Sequence, residues 1–244
     1  ILIFARMSFD IFKERFFPMA VQEEITAQKN KTSVKERQFK GLSLTERKQA
    51  RREKLIEAGI ATYGTQGFFS VTVKDVCNEA KLTERYFYES FKKSEELFQI
   101  VFLKMIGDMQ HCLAQAVMLA APEPKNMVIA GLSALLSAIK DDPRMARIIY
   151  IDAMLVQDLH NQATIQETLL QFDRIIQGFM RLTMPHADHG NNEETSLIAT
   201  GLNGYVTHII IRWVTGGFKQ PLDEVLQACA AAFLSFIQST AQKT

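Results

Sequence analysis

The chain is predicted to be all-α, about nine helices in number, and three observations carry that reading. Apolar residues recur at i, i+3 and i+4 from Arg52 to the last residues, with no stretch of strand-like alternation. Proline and glycine fall at intervals that punctuate this pattern, at Gly67, Pro122, Pro124, Pro143, Gly216, Gly217 and Pro221. Between Val71 and Phe91 the sequence VTVKDVCNEAKLTERYFYESF reads as two short helices joined by a tight turn.

The first 28 residues, from ILIFARMSFDIFKERFFPMAV onward, begin without methionine and place Phe9, Phe12 and Phe16 on one helical stripe with Arg6, Asp10, Lys13 and Glu14 among them. Charges interrupt the apolar part and no small-residue cleavage site follows, which argues against a signal peptide. An amphipathic anchor or a partner-binding helix fits the stripe; translated upstream sequence, with Met7 or Met19 as the natural start, is the preferred reading. Gln22 to Lys40 is polar and charged, and flexibility is expected there. Residues 1–44 are therefore read as an N-terminal extension.

Net charge is only +1, but it is unevenly spread. From Lys29 to Lys54 ten cations stand against three anions, a sum of +7, so the remainder sums to −6. A basic segment of this kind draws polyanions irrespective of sequence, or is a solvated linker.

In the turn motif, Thr72 to Glu79 forms the first helix, with Val73, Val76 and Ala80 on one face. The break falls at Lys81-Leu82. Thr83 stands at the next helix N-cap, its hydroxyl placed to accept a bond from the backbone N–H near Tyr86. The second helix turns Phe87 and Phe91 inward and leaves Thr83, Glu84, Arg85, Tyr86 and Tyr88 facing out. Two helices this short cannot bury a core alone. Neighbours must hold the second while its polar face meets another molecule, and such a helix fits the DNA major groove, where arginine pairs with guanine and threonine or tyrosine reaches phosphates or thymine methyls. An ordinary helical hairpin is the alternative.

The similarity continues on both sides of this motif. REKLIEAGIATYGTQGF, with Ala58, Tyr63, Gly67 and Phe68, then TVKDVCNEA, LTERYFYESF and KKSEEL follow one another from Arg52 to Leu97. In that order they resemble the DNA-binding domain of the tetracycline-repressor (TetR) family of bacterial transcriptional regulators. Lys81 stands in place of the family's usual turn glycine, and the lysine that usually opens the fourth helix and touches phosphate falls on Ser94, with Lys93 one place earlier. The resemblance implies a helix-turn-helix DNA-binding domain over 45–92 and a ligand-binding and dimerisation domain over 93–244. The expected DNA contacts are Thr83, Arg85, Tyr86 and Tyr88 on the recognition helix, Thr72 and Lys93 on phosphates, and Arg51 or Arg52 nearby.

Beyond that domain, a long helix from Ser94 to about Ala120 is stopped by the Pro122/Pro124 break. Helices are then expected over Asn126 to Lys140, from Pro143, over Ala163 to Thr183, over Glu193 to Thr215 and from Pro221 to about Ser239. The last carries Val225, Leu226, Cys229, Ala230, Phe233 and Ile237 with small alanines beside them, and the one before it carries Leu202, Tyr205, Val206, Ile209 and Trp213. Such broad faces can serve both the protomer and a twin, or form a wholly internal core. The resemblance implies a homodimer through these two helices, a near-palindromic operator, and release of a repressor by a small hydrophobic effector. The alternative keeps the DNA-binding head and gives the C-terminal domain a protein partner.

Polar residues set in apolar helical stretches are the candidates for pocket anchors: His111, Tyr150, Asp152, Asn203, Tyr205 and His208. For each one singly, a satisfied core or interface hydrogen bond is the plainer reading. His186 and His189 beside Asp188 give only a loose H-x-x-H arrangement, so no metal site is expected. Cys77, Cys112 and Cys229 lack any C-x-x-C spacing, which leaves a reducing, cytoplasmic setting and neither disulfides nor zinc. No nucleophile elbow, P-loop, G-x-G-x-x-G or H-E-x-x-H is present, so no enzyme and no cofactor are expected; Asp141-Asp142 is explained as charge at a helix N-terminus. No apolar run reaches the roughly 20 residues that span a bilayer.

Overall fold

A computed structural model describes residues 44–156, 163–183 and 192–241. The expected N-terminal extension and the His186/Asp188/His189 loop lie outside them. The described residues contain no strand and read as nine helices: α1 Leu44–Gln66, α2 Val73–Ala80, α3 Glu84–Tyr88, α4 Ser94–Leu119, α5 Pro124–Asp141, α6 over 143–155, α7 Ala163–Thr183, α8 Asn192–Thr215 and α9 Leu222–Ala241. None of the described helices is long and apolar enough to cross a membrane. They group into two compact units. One holds the described residues up to Asp108 with those from Asp142 to Val156, and the other holds Met109–Asp141 with the described residues from Thr164 onward.

In the first unit, α1 is built from strong helix formers and presents Leu55, Ile56, Ala58, Ile60 and Tyr63 to the core. It ends at Gly67, whose φ of 90° and ψ of 146° suit glycine almost alone. A helix end leaves carbonyls without partners, and here the Arg147 guanidinium of α6 donates to the Thr65 carbonyl at 2.9 Å. The Asp152 carboxylate of α6 accepts the Phe68 N–H at 2.9 Å. Burial holds the Asp152 carboxyl above the ordinary aspartate range, against the lowering effect of the Phe68 N–H and Arg147. The rings of Tyr63, Phe68 and Phe98 then pack with centroids 4.7 to 5.6 Å apart.

Helix α6 departs from the regular helix expected from Pro143. Asp142 caps it, accepting the Arg144 N–H at 3.1 Å and the Arg144 guanidinium at 2.7 and 2.8 Å; Arg144 holds the Asp142 carboxyl low. After one α turn, Arg147–Asp152 runs as a π-helix before Ala153–Leu155 resumes the α form. The wider turn accompanies two inward tasks, Arg147 on the end of α1 and Asp152 on Phe68, with Ile148 and Ile149 buried between them.

The second unit is a helical cluster. Helix α5 buries Met127, Val128, Leu132, Leu135, Leu136 and Ile139. Helix α9 contributes Val225, Leu226, Cys229, Ala230 and Phe233, and α8 contributes Ala199, Val206, Ile210 and Trp213. Gly131 lets α5 approach α4, since a Cβ there would meet Val117 Cγ2 at 3.1 Å. At the α8–α9 corner the Trp213 indole N–H donates to the Gln220 carbonyl at 2.9 Å, and its ring meets Phe218 edge-on.

Candidate functional site

The turn motif is assembled from local rules. Thr72 caps α2 through a capping box: its hydroxyl accepts the Asp75 N–H at 3.2 Å, while the Asp75 carboxylate accepts the Thr72 N–H at 2.9 Å and its O–H at 2.6 Å. These bonds hold the Asp75 carboxyl below its ordinary range. Both Thr72 donors are thereby engaged. Lys81 ends α2 in the left-handed conformation, φ 55° and ψ 42°, and the Leu82 N–H closes onto the Cys77 carbonyl at 2.9 Å. This is the position where the family resemblance expects glycine, and lysine takes up the same turn.

Thr83 occupies the N-cap position of α3 with extended backbone, but its hydroxyl makes no capping bond, contrary to expectation. The Tyr86 N–H is satisfied instead by the Thr83 carbonyl at 2.9 Å. Helix α3 is also shorter than read from sequence, its regular part closing at Tyr88. The Phe91 N–H still reaches the Phe87 carbonyl at 2.8 Å, which keeps both phenylalanines inward, 0% and 1% exposed.

On the outer surface Thr83, Glu84, Arg85 and Tyr88 are exposed and Tyr86 is half-buried. The Arg51 guanidinium lies over the Tyr86 ring at 4.3 Å, and Arg52 packs over Phe91 at 5.0 Å. Glu89 joins two of these cations: its Oε1 is 3.1 Å from Arg85 Nε and its Oε2 is 3.9 Å from Arg51 Nη2. Arg51, Arg85 and Tyr86 are thus brought together around a carboxylate not singled out in the sequence, although its i+4 spacing from Arg85 was a usable signal. Arg52 serves packing through its ring contact. Lys93 is exposed immediately before α4.

The second unit holds a cavity of about 110 Å³, walled by apolar side chains from α4 (Leu113, Val117), α5 (Leu132), α7 (Phe172, Phe179) and α9 (Phe233). Of the six polar candidates, Asn203 of α8 lines it. The others are placed elsewhere. Asp152 and Tyr150 belong to the π segment of α6 in the first unit. His111 Nε2 is 2.8 Å from the Gln115 side-chain amide, one turn along α4. Exposed Tyr205 donates to the Ala228 carbonyl at 3.1 Å, and His208 Nδ1 donates to the Gly204 carbonyl at 3.0 Å. A polar group missed in the sequence stands behind Asn203. Buried Asp173 of α7 accepts the Thr200 hydroxyl at 2.6 Å and the Asn203 amide at 2.8 Å.

No protein-family model matches the chain, and no curated protein matches it in sequence. Solved structures do match it in shape. A TetR-like transcriptional regulator from Rhodococcus sp. RHA1 superposes with a TM-score of 0.58 at 18% identity, covering 79% of this chain and 96% of that one. The fatty acid degradation regulator FadR from Bacillus halodurans gives 0.63 at 12% identity, covering 79% and 95%. A transcriptional regulator from Aquifex aeolicus VF5 gives 0.56 at 14%, covering 76% and 99%. The short α2 and α3 with their outward Arg85 and Tyr88, the long α4 and the helical cluster beyond it therefore have the fold of the TetR-like transcriptional regulators.

Proposed function

We propose that this chain is a sequence-specific DNA-binding transcriptional regulator, a homodimeric repressor released from a near-palindromic operator by a small hydrophobic effector. Residues 45–92 are its reading head and 93–244 its sensing and dimerising part. The observation that carries the reading is the division of α3 into two faces. Phe87 and Phe91 are fully buried, whereas Thr83, Arg85 and Tyr88 are open, and Arg51 is stacked on Tyr86 beside them. That is the arrangement of a helix held from behind and presented to a groove.

A dimer supplies the second half-site, about 34 Å away along the duplex. Leu197 is 68% and Tyr205 43% exposed on α8, a Cβ at Gly201 or Gly204 would meet nothing within 4 Å, and Ala228 and Ala231 are exposed on α9. Small residues beside exposed apolar ones favour close approach of another helix. The effector reading rests on the apolar lining of the cavity. A ligand favouring one arrangement of α4 by a few kcal/mol would change the separation of the reading heads.

The second reading, a protein partner for the C-terminal part, is favoured by cavity size. About 110 Å³ is below the roughly 300 Å³ at which drug-sized pockets begin. Fluorescence anisotropy against DNA flanking its own gene, at about 0.15 M salt with nonspecific competitor, tests the proposal: competitor-resistant binding is expected, and uniformly weak, salt-sensitive binding to all sequences would overturn it.

A further inference from the structure

In the cavity of the second unit, the one amide among the described lining residues, Asn203, is held by a carboxylate on α7. Among its described lining residues there is no Lys, Arg, His, Asp or Glu, and Asn203 is the one amide. The Asn203 amino group is committed to Asp173 at 2.8 Å, and Thr200 holds the other carboxylate oxygen at 2.6 Å. Both Asp173 oxygens accept here, so Asp173 fixes the carboxamide with its amino group turned toward α7. The carboxamide oxygen accepts no hydrogen bond from another described residue. It is the polar atom left for a guest.

From this arrangement we infer that the cavity takes a neutral, single-ring-sized molecule bearing one hydrogen-bond donor, such as a phenolic or alcoholic hydroxyl, and rejects carboxylates. Volume sets the upper limit: an engineered apolar cavity of about 150 Å³ admits benzene, so this one, at about 110 Å³, takes one ring at most. A donor on the guest meets the Asn203 oxygen. A carboxylate would enter with no cation among the described lining residues, and an uncompensated buried charge is strongly disfavoured. The inference deepens the effector reading and rests on the same cavity, yet its test is separable from DNA binding.

The test is calorimetric or ligand-observed NMR titration of the full chain with phenol, toluene and benzoate. Phenol is expected to bind, benzoate to show no binding. In Asn203→Leu the ratio of phenol to toluene affinity should fall about tenfold, the worth of one hydrogen bond in an apolar site, while retained toluene binding shows that the cavity is intact. The inference is overturned by an unchanged ratio in the variant, by benzoate binding as well as phenol, or by a wild-type protein that binds none of the three. In the last case, undiminished operator binding would show that the DNA-reading proposal survives without this guest. Phenol binding that leaves operator affinity unchanged would support the guest class and count against the release mechanism.

Discussion

Replacing Gly67 by alanine should loosen the first unit at the end of α1. The backbone there, φ 90° and ψ 146°, lies near a region that residues with a Cβ occupy at a cost of about 1 to 3 kcal/mol. The new Cβ would also stand 3.2 Å from Arg147 Nε and 3.3 Å from Arg147 Nη2, in the guanidinium that donates to the Thr65 carbonyl. Moving that group forfeits a charge-assisted bond worth about 1.5 to 3 kcal/mol in a typical site. Since the two penalties relieve each other in part, a net loss of about 2 to 4 kcal/mol is expected. Gly107→Ala is the matched control. It sits inside α4 with nothing within 4 Å of its added Cβ, so helix propensity alone should stabilise it by about 0.5 to 1 kcal/mol. Both values come from urea unfolding at one fixed protein concentration, because a dimer's apparent stability depends on it. A Gly67→Ala protein within about 0.5 kcal/mol of wild type would refute the account of the α1 terminus.

Three further outcomes are expected. With a thiol reagent under native conditions, exposed Cys112 should react first, while Cys229, whose thiol burial pushes up to about 11, and buried Cys77 should be protected; equal rates for all three would contradict the packing of α2 and α9. By carboxyl NMR, Asp142 should titrate below and Asp152 above the ordinary value of 3.8. The Asp142 contribution to stability is then present above 3.8 and lost as pH falls through its lowered value, whereas any from Asp152 is complete below 3.8 and lost as pH rises through its raised value; reversed titration order would refute both environments. Gly204→Glu, which places a charge in open space on α8, should convert a dimer to monomer in sedimentation without loss of helicity if α8 forms the interface; an unchanged dimer would place that interface elsewhere.

Much of the architecture was legible because its punctuation is covalent. Ala163–Thr183 has the expected bounds, and α4 and α8 end within a residue of theirs, each beside proline or glycine or at the end of an apolar repeat. What failed depends on neighbours. The π turn of α6 accompanies Arg147 reaching α1 and Asp152 reaching Phe68, contacts that no local pattern encodes. Thr83 has the right residue type and backbone for a cap, but the Tyr86 N–H took the carbonyl instead. Polar residues in apolar stretches suggest a single pocket set. Helical period reports that a face is buried and says nothing of which neighbour it meets, so Asp152 and Asn203 lie in different units, and Asp173, set among apolar residues of α7, carries no signal in the sequence pattern.

The most direct test of DNA reading is to select a preferred sequence from a randomised duplex pool and compare wild type with Arg85→Ala on it and on each single-base variant. Arg85 is an exposed cation of α3, held at Nε by Glu89 at 3.1 Å, with the rest of its guanidinium open to a base edge. The account predicts an enriched near-palindrome, a loss of about 1 to 3 kcal/mol on it for the variant, and relaxed choice at one base pair of each half-site. A pool that enriches nothing, or an Arg85→Ala protein that keeps full selectivity at every position, would contradict it.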